Sequence, residues 1–258
     1  MRLMKRILSA AAVLALSASL LVGCSSGTAS SVPVSASSAT ESTVSSVEET
    51  ASSAVDENEA AAAQLLNDLT GSYQELWPVI LADEYKQTWL DVCTALVGED
   101  NAEAAFEKLS SMVTGDVYGE DAVEAYANGG GAYFCGFTNS LATLTFDGET
   151  STISGTDKDG NVLFSHTYHY IGMEPVHGLY EFESDDADSG EFTYFFLAPD
   201  TSAETYHIEF RYGSDAEALS QYDAGEYAYW VASGISTDCD QTMIDNCLEL
   251  FCTENLAG

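Results

Sequence analysis

The chain has 258 residues, with 42 Asp or Glu against 7 Lys or Arg, a formal net charge of −35. A surface this acidic excludes nucleic acid as a partner, because phosphate contacts need Lys and Arg, and it excludes docking onto anionic lipid through protein charge. Hydrophobic residues at 46% exclude a wholly disordered chain, and 20 Gly with 4 Pro exclude a collagen-like or Pro-rich fibre.

Met1 to Arg6 is a short basic region, and Leu8 to Leu21 carries no charge. The apolar run is too short and wrongly flanked for a spanning helix, and reads as a secretory signal. It ends in Leu21-Val22-Gly23-Cys24, which resembles the lipobox of bacterial lipoprotein precursors. That resemblance implies cleavage before Cys24, a lipid on Cys24, and an extracytoplasmic protein anchored to the bacterial cell membrane through buried acyl chains. Residues 1–23 are then the leader. Residues 24–57 are the lipidated Cys and a tether of Ser, Ala, Thr, Val and Glu without an aromatic residue. Such a segment buries too little apolar surface to offset its chain entropy, so it is expected to be a disordered stalk. Residues 58–258 remain, about 200 residues, which suits one domain with one core.

Within that domain the pattern is helical from Glu59 to Asn128. Trp89, Val92, Cys93 and Leu96 recur at i, i+3, i+4 and i+7. Asp100 is placed to cap a helix containing Phe106, Leu109, Met112 and Val113. Gly129-Gly130-Gly131 breaks the pattern, and the period then changes to two. Ala142, Leu144 and Phe146 alternate before Asp147-Gly148, a tight-turn signal. A strand near Ser151–Ser154 leads to a second turn at Asp159-Gly160. Further strands are expected at Val162–Ile171, Leu179–Phe182, Thr193–Leu197, Thr205–Phe210 and Tyr227–Val231. Many short strands joined by hairpins predict an antiparallel meander closing into a barrel or sandwich. The chain ends in a helix with Thr237 as N-cap, Asp240 at N3, and Met243, Ile244, Cys247, Leu248 and Phe251 on one apolar face.

Three segments, in order, are similar to the ZinT family of extracytoplasmic zinc-binding proteins, whose domain also forms the C-terminal part of some zinc-uptake lipoproteins. Asp68 to Pro78 is like D-x-x-G-x-W-x-S-x-Y-P. Tyr168 to Gly172 and Tyr180 to Glu183 are like Y-x-Y-x-G and Y-x-F-E. Phe195 to Pro199 and Tyr206 to Phe210 are like H-x-x-A-P and H-F-H-I. The resemblance implies an α+β fold, mainly β: a calycin-like (lipocalin-like) antiparallel barrel with N-terminal helices and a C-terminal helix. It also implies zinc as cofactor, with three His of the third segment as ligands. Those positions here hold Phe195, Thr205 and His207.

Strand parity puts Thr205, His207 and Glu209 on one face and Tyr206, Ile208 and Phe210 on the other. His207 and Glu209 therefore offer one nitrogen and one carboxylate together. His169 and His177, on or near neighbouring strands, are candidates to complete a metal site. His166 and His169, at odd separation, face opposite sides. The acidic turns Asp157–Asn161 and Asp185–Gly190 depart from the EF-hand spacing and read as solvated turns. Five cysteines remain beyond Cys24, an odd number without C-x-x-C; a Cys93–Cys135 bridge is one possibility, and Cys247 reads as a small buried hydrophobe. There is no H-E-x-x-H or Walker loop, so a non-enzyme is expected. Two function classes follow: a lipoprotein binding zinc or a related divalent metal for homeostasis or uptake, working with a metal-uptake transporter, or a metal-free calycin-type module binding a small ligand or partner protein. The anchor is the most direct test. Cys24→Ala should abolish acylation and release the protein from the membrane fraction; a wild-type protein found soluble and unacylated contradicts the lipoprotein reading.

Overall fold

The computed structural model describes residues 45–127, 129, 131–199 and 207–256, with side chains from Glu57 onward. The leader, Cys24 and the first part of the tether lie outside the described residues, as do Thr205 and Tyr206. Eight strands form a closed antiparallel barrel in which each strand pairs with its chain neighbours and β1 closes on β8. The elements run α1 (Ser45–Asp68), β1 (Gly71–Glu75), α2 (Leu76–Ile80), α3 (Lys86–Val97), α4 (Glu99–Ser111), α5 (Glu120–Ala125), β2 (Thr143–Asp147), β3 (Thr152–Thr156), β4 (Val162–Met173), β5 (Tyr180–Ser184), β6 (Tyr194–Leu197), β7 (His207–Gly213), α6 (Ala216–Leu219), β8 (Ala232–Ser236) and α7 (Gln241–Leu256). This is the barrel with flanking helices that the sequence predicts. Among the described residues no helix is long and apolar enough to cross a membrane.

Several boundaries differ from the sequence reading. Helix α1 begins at Ser45, within the segment assigned to the tether; its Ala- and Glu-rich sequence favours helix. Strand β1 falls inside the stretch read as helical, because Gly71-Ser72-Tyr73-Gln74-Glu75 has one buried position and no long alternation. The last strand is Ala232–Ser236, where the sequence suggested Tyr227–Val231. Tyr229 in that aromatic run has a φ of 57°, which no strand accommodates. Helix α4 begins at Glu99 behind Gly98, so Asp100 lies in its first turn instead of capping it. Helix α7 is capped by Asp240, whose Oδ1 accepts the Met243 N–H at 2.9 Å, three residues beyond the expected cap Thr237.

Two cores result. The first fills the barrel, where Leu144, Phe146, Ile153, Phe182, Phe195 and Phe210 pack inward. One end of the barrel is closed by α1 through Ala62, Leu65, Leu66 and Leu69. The second core lies outside the wall, where Trp77, Trp89, Cys93, Leu109, Cys247 and Phe251 join the helices to Ile235 of β8. Phe251 makes T-shaped contacts with Trp77 (4.9 Å) and Trp89 (5.8 Å), and the Trp89 indole N–H donates to the Ile80 carbonyl at 2.7 Å. The five described cysteines are all free thiols. Cys93 hydrogen-bonds Cys252 of α7, so the Cys93–Cys135 bridge that the sequence left open does not form.

The closure by α1 depends on close backbone contact. A Cβ added at Gly148, in the β2–β3 turn, would stand 2.4 Å from the Cα of Asn67. The Gly148 N–H donates to Thr70 Oγ1 at 3.0 Å. Gly148→Ala should therefore push α1 off the barrel and lower stability by about 1–3 kcal/mol in urea unfolding, the cost usual for overpacking; an unchanged midpoint would show that α1 does not seat there.

Candidate functional site

Strand β7 carries the site residues because its two faces do different work. Ile208, Phe210 and Tyr212 point into the barrel core. His207, Glu209 and Arg211 alternate with them on the outer face, yet all three are buried, at 1%, 3% and 0% exposure. Their cross-strand partners are Ile235 for His207, Ser233 for Glu209 and Phe196 for Arg211. Ile235 belongs to the helical core that includes α7. The outer face of β7 is thus covered by protein.

At one end of this row burial pushes the His207 imidazole down to about 3, so it is neutral at physiological pH. Burial likewise raises the thiols of Cys135 and Cys247, the latter to about 12, and the nearby Glu209 carboxylate raises both further. Imidazole, carboxylate and two thiols therefore share one buried region between the barrel wall and α7. Among the described residues, however, no group of three or more His, Cys, Asp or Glu is arranged to hold a metal ion. The donors suit zinc in kind and fall short in number, since zinc takes four ligands.

The other end of the row is built around Arg211. Its Nη1 donates to the Leu219 and Gln221 carbonyls, and its Nη2 to those of Gln221 and Tyr227. Its guanidinium lies 4.1 Å over the Tyr222 ring. His177 packs on the same ring at 3.8 Å, with its Nδ1 3.5 Å from Glu174. Burial acts to raise the Glu174 pKa, but hydrogen bonds from His177 and from the Val176 N–H outweigh it and hold the carboxyl below its usual range.

Of the residues expected around His207, Glu209 lies next to it along the row. His177 stands at the Arg211 end, in the β4–β5 hairpin. His169 is exposed on the outside of β4 and bonds Asp185 at 2.7 Å. Its cross-strand row runs through Glu183 and Tyr194 to Gly213, the end of β7 far from His207. His166 faces the barrel interior opposite Ile153 and bonds Asp186 at 2.8 Å. The opposite facing of His166 and His169 is as parity predicts. Phe195 lies inside the barrel, 5.4 Å from Tyr168 and 5.4 Å from Tyr212. It is thus on the other side of the wall from His207, so two of the positions that the resemblance assigns to ligands are separated by the sheet.

Sequence reasoning missed Arg211, Glu174 and Tyr222. Arg211 had a readable signal, because it shares parity with His207 and Glu209 on an otherwise apolar strand. Glu174 and Tyr222 lie in connections, where periodicity says nothing. The turn at Asp157 is local, as expected: its Oδ1 accepts the Asp159 and Asn161 N–H groups, each at 2.9 Å.

No protein-family model matches the chain, and no curated protein matches it. Among solved structures it is similar to the Zn(II)-bound ZinT-like domain of Streptococcus pneumoniae AdcA, at 17% identity and a TM-score of 0.44, over 71% of this chain and 89% of that one. It is also similar to the Zn(II)-bound AdcA from Streptococcus pneumoniae, at 16% identity and a TM-score of 0.41, over 72% of this chain and 35% of that one. The first of these structures carries the name of the family that the three sequence motifs resemble. At this identity the similarity concerns the fold alone.

Burial of neutral His207 gives a pH signature. An unfolded His binds its proton near 6.5, and the folded one near 3. Between those values the unfolded state holds the extra proton, so stability falls as the pH drops below about 6.5, by up to about 1.4 kcal/mol per unit. Urea unfolding of wild type and His207→Asn at pH 7 and pH 5 should show a shallower fall in the variant. Equal slopes would mean that His207 titrates normally in the folded state.

Proposed function

We propose that the chain is an extracytoplasmic lipoprotein, anchored at the cell membrane through Cys24, whose barrel domain binds zinc or a related divalent metal for homeostasis or uptake. It is a binding protein and not a catalyst, and its partner is a metal-uptake transporter that receives the ion. The observation that supports metal binding is the pair His207 and Glu209, side by side on the buried outer face of β7. The imidazole is held neutral by burial, so its nitrogen lone pair is available without loss of a proton. Glu209 supplies the anionic oxygen. His207 is the central ligand and Glu209 the second; His177 and His169, on the geometry above, serve elsewhere. Zinc is the metal in the two Streptococcus pneumoniae structures and in the family that the motifs resemble, so it is the first ion to test. Two protein donors leave the remaining positions to water or to groups outside the described residues, and such a site binds more weakly than a set of three His.

A second reading, a metal-free module of calycin type that binds a small ligand or partner protein, is supported by Phe195. The phenyl ring stands in an apolar aromatic core where the resemblance places a ligand.

Calorimetric titration of zinc into the chain from residue 25 onward, with excess calcium and about 0.15 M salt, separates the readings, because salt screens diffuse attraction to the acidic surface. The metal reading expects one-to-one binding that selects zinc over calcium and weakens at least tenfold in a folded His207→Ala variant. Because burial holds the folded imidazole down at about 3, stoichiometric binding should persist at pH 5, where a solvent-exposed His ligand already loses the ion to protons. Absence of stoichiometric zinc binding leaves the metal-free module as the function.

A further inference from the structure

A cleft of about 370 Å³ opens where the end of β1 and the short helix α2 face two segments of the chain between α4 and β2. Glu75, Trp77 and Leu81 line one side, and Val113, Phe134 and Cys135 the other. The volume falls in the range of small-molecule sites, about 300–1,000 Å³. Its walls are fixed. Thr114 and Phe134 form an antiparallel bridge, and Phe134 is bridged in turn to Trp230. The Phe134 ring stacks on Tyr118 at 5.4 Å and 15°. The Glu75 carboxylate is held by the Phe137 N–H, which donates to its Oε1 at 2.6 Å.

Two glycines allow the walls to approach. A Cβ at Gly136 would stand 2.8 Å from Glu75 Oε1 and 2.9 Å from Phe134 Cζ, so the carboxylate and the aromatic ring converge over this residue. A Cβ at Gly115 would stand 2.6 Å from the Ala132 carbonyl oxygen. Only glycine leaves both approaches open. The sequence supplies a further sign. Glu75 and Trp77 occupy the positions where the D-x-x-G-x-W-x-S-x-Y-P pattern has Ser and Tyr, so the carboxylate and the indole are departures from that pattern.

The chemistry of the lining restricts the ligand. No Lys or Arg lines the cleft, so an anion has no counter-charge there. A carboxylate beside apolar and aromatic walls is less screened than one in bulk water and attracts a cation more strongly. The aromatic rings add attraction for an alkylammonium group. A metal ion is a poor fit, since no group of three metal-binding side chains occurs among the described residues, and burial keeps the Cys135 thiol protonated. A cation with an apolar body satisfies both the charge and the walls.

We propose that this cleft binds a small organic ammonium ion with an apolar or aromatic body, its nitrogen at Glu75 and its body against Trp77 and Phe134. No residue of the His207 row lines this cleft, and the proposal does not depend on metal binding.

The test uses the full chain in mild detergent with about 0.15 M salt, where attraction beyond about 8 Å is largely screened. Phenethylammonium is the probe, 2-phenylethanol is the neutral compound of the same body, and calorimetry with proton NMR gives the readout. Saturable one-to-one binding of phenethylammonium is expected, at least tenfold tighter than the alcohol. Glu75→Gln keeps an acceptor for the Phe137 N–H and removes the charge; it should weaken the ammonium at least tenfold and leave the alcohol unchanged. Gly136→Ala, which fills the space over the carboxylate, should weaken both. In the wild-type chain the Trp77 indole N–H resonance should shift on ammonium addition while that of Trp89 stays fixed, a readout that survives if either variant misfolds. Saturating zinc should leave the ammonium affinity unchanged, which separates this site from the metal reading. The proposal is overturned by absence of saturable ammonium binding, by equal affinity for the alcohol, by an unaltered Glu75→Gln variant, or by displacement with zinc.

Discussion

Strand β7 is buried on both faces, and the rest of the molecule is arranged around that constraint. A barrel strand ordinarily has one face in the core and one in water. Here the inner face carries Ile208, Phe210 and Tyr212, and the outer face carries His207, Glu209 and Arg211, all covered. Three ionisable side chains without bulk water must find partners inside the protein or lose their charge. Arg211 solves this with the carbonyls of Leu219, Gln221 and Tyr227. Those carbonyls belong to the β7–β8 connection, so the guanidinium orders a segment with little regular structure of its own. His207 solves it by staying neutral. The helical layer containing α7 then seals the same face by packing onto Ile235, the cross-strand partner of His207.

The parts of this arrangement that follow from local chemistry were legible in the sequence. Asp147-Gly148 and Asp159-Gly160 mark turns because their sequence suits tight reversals, and Gly160 has a φ of 81°. The alternation of Leu144 and Phe146 marks a strand because two apolar side chains must share the barrel interior. His207 and Glu209 fall on one face by the same parity. Parity also separates His166 from His169, one directed at the barrel interior and one at solvent.

What depends on long-range packing was not legible. Strand β8 reads Ala-Ser-Gly-Ile-Ser, which has little strand propensity. It is a strand because β1 and β7 flank it and leave room only for small side chains on its inner face: a Cβ at Gly234 would meet Ile208 at 3.0 Å. The aromatic run at Tyr227–Val231 has far more strand character, yet it is spent on capping Arg211 and on the bridge from Trp230 to Phe134. The distance of His169 from His207 is set by barrel register, including the irregularity between Tyr170 and Gly172, and no single segment of sequence encodes it. The helical face of Trp89 and Cys93 was visible, but its partner was not, because Cys252 lies on a helix at the other end of the chain.

The separation of Phe195 from His207 by the barrel wall bears on which residues can share one ligand. A ligand set drawn from both faces of a sheet cannot converge on one ion, since the wall itself intervenes. Phe195 completes an aromatic core with Tyr168, Phe210 and Tyr212, so a His in its place would bury a polar ring, at a cost of roughly 1–3 kcal/mol if left without a partner. Any site that used His207 would therefore draw on its own side of the wall, where Glu209 lies. That side is also where the acidic surface acts. A net charge of −35 raises the local concentration of every cation alike and is screened by salt, so it favours encounter without choosing among ions. Selection among cations requires donors of defined softness and geometry, which net charge cannot supply.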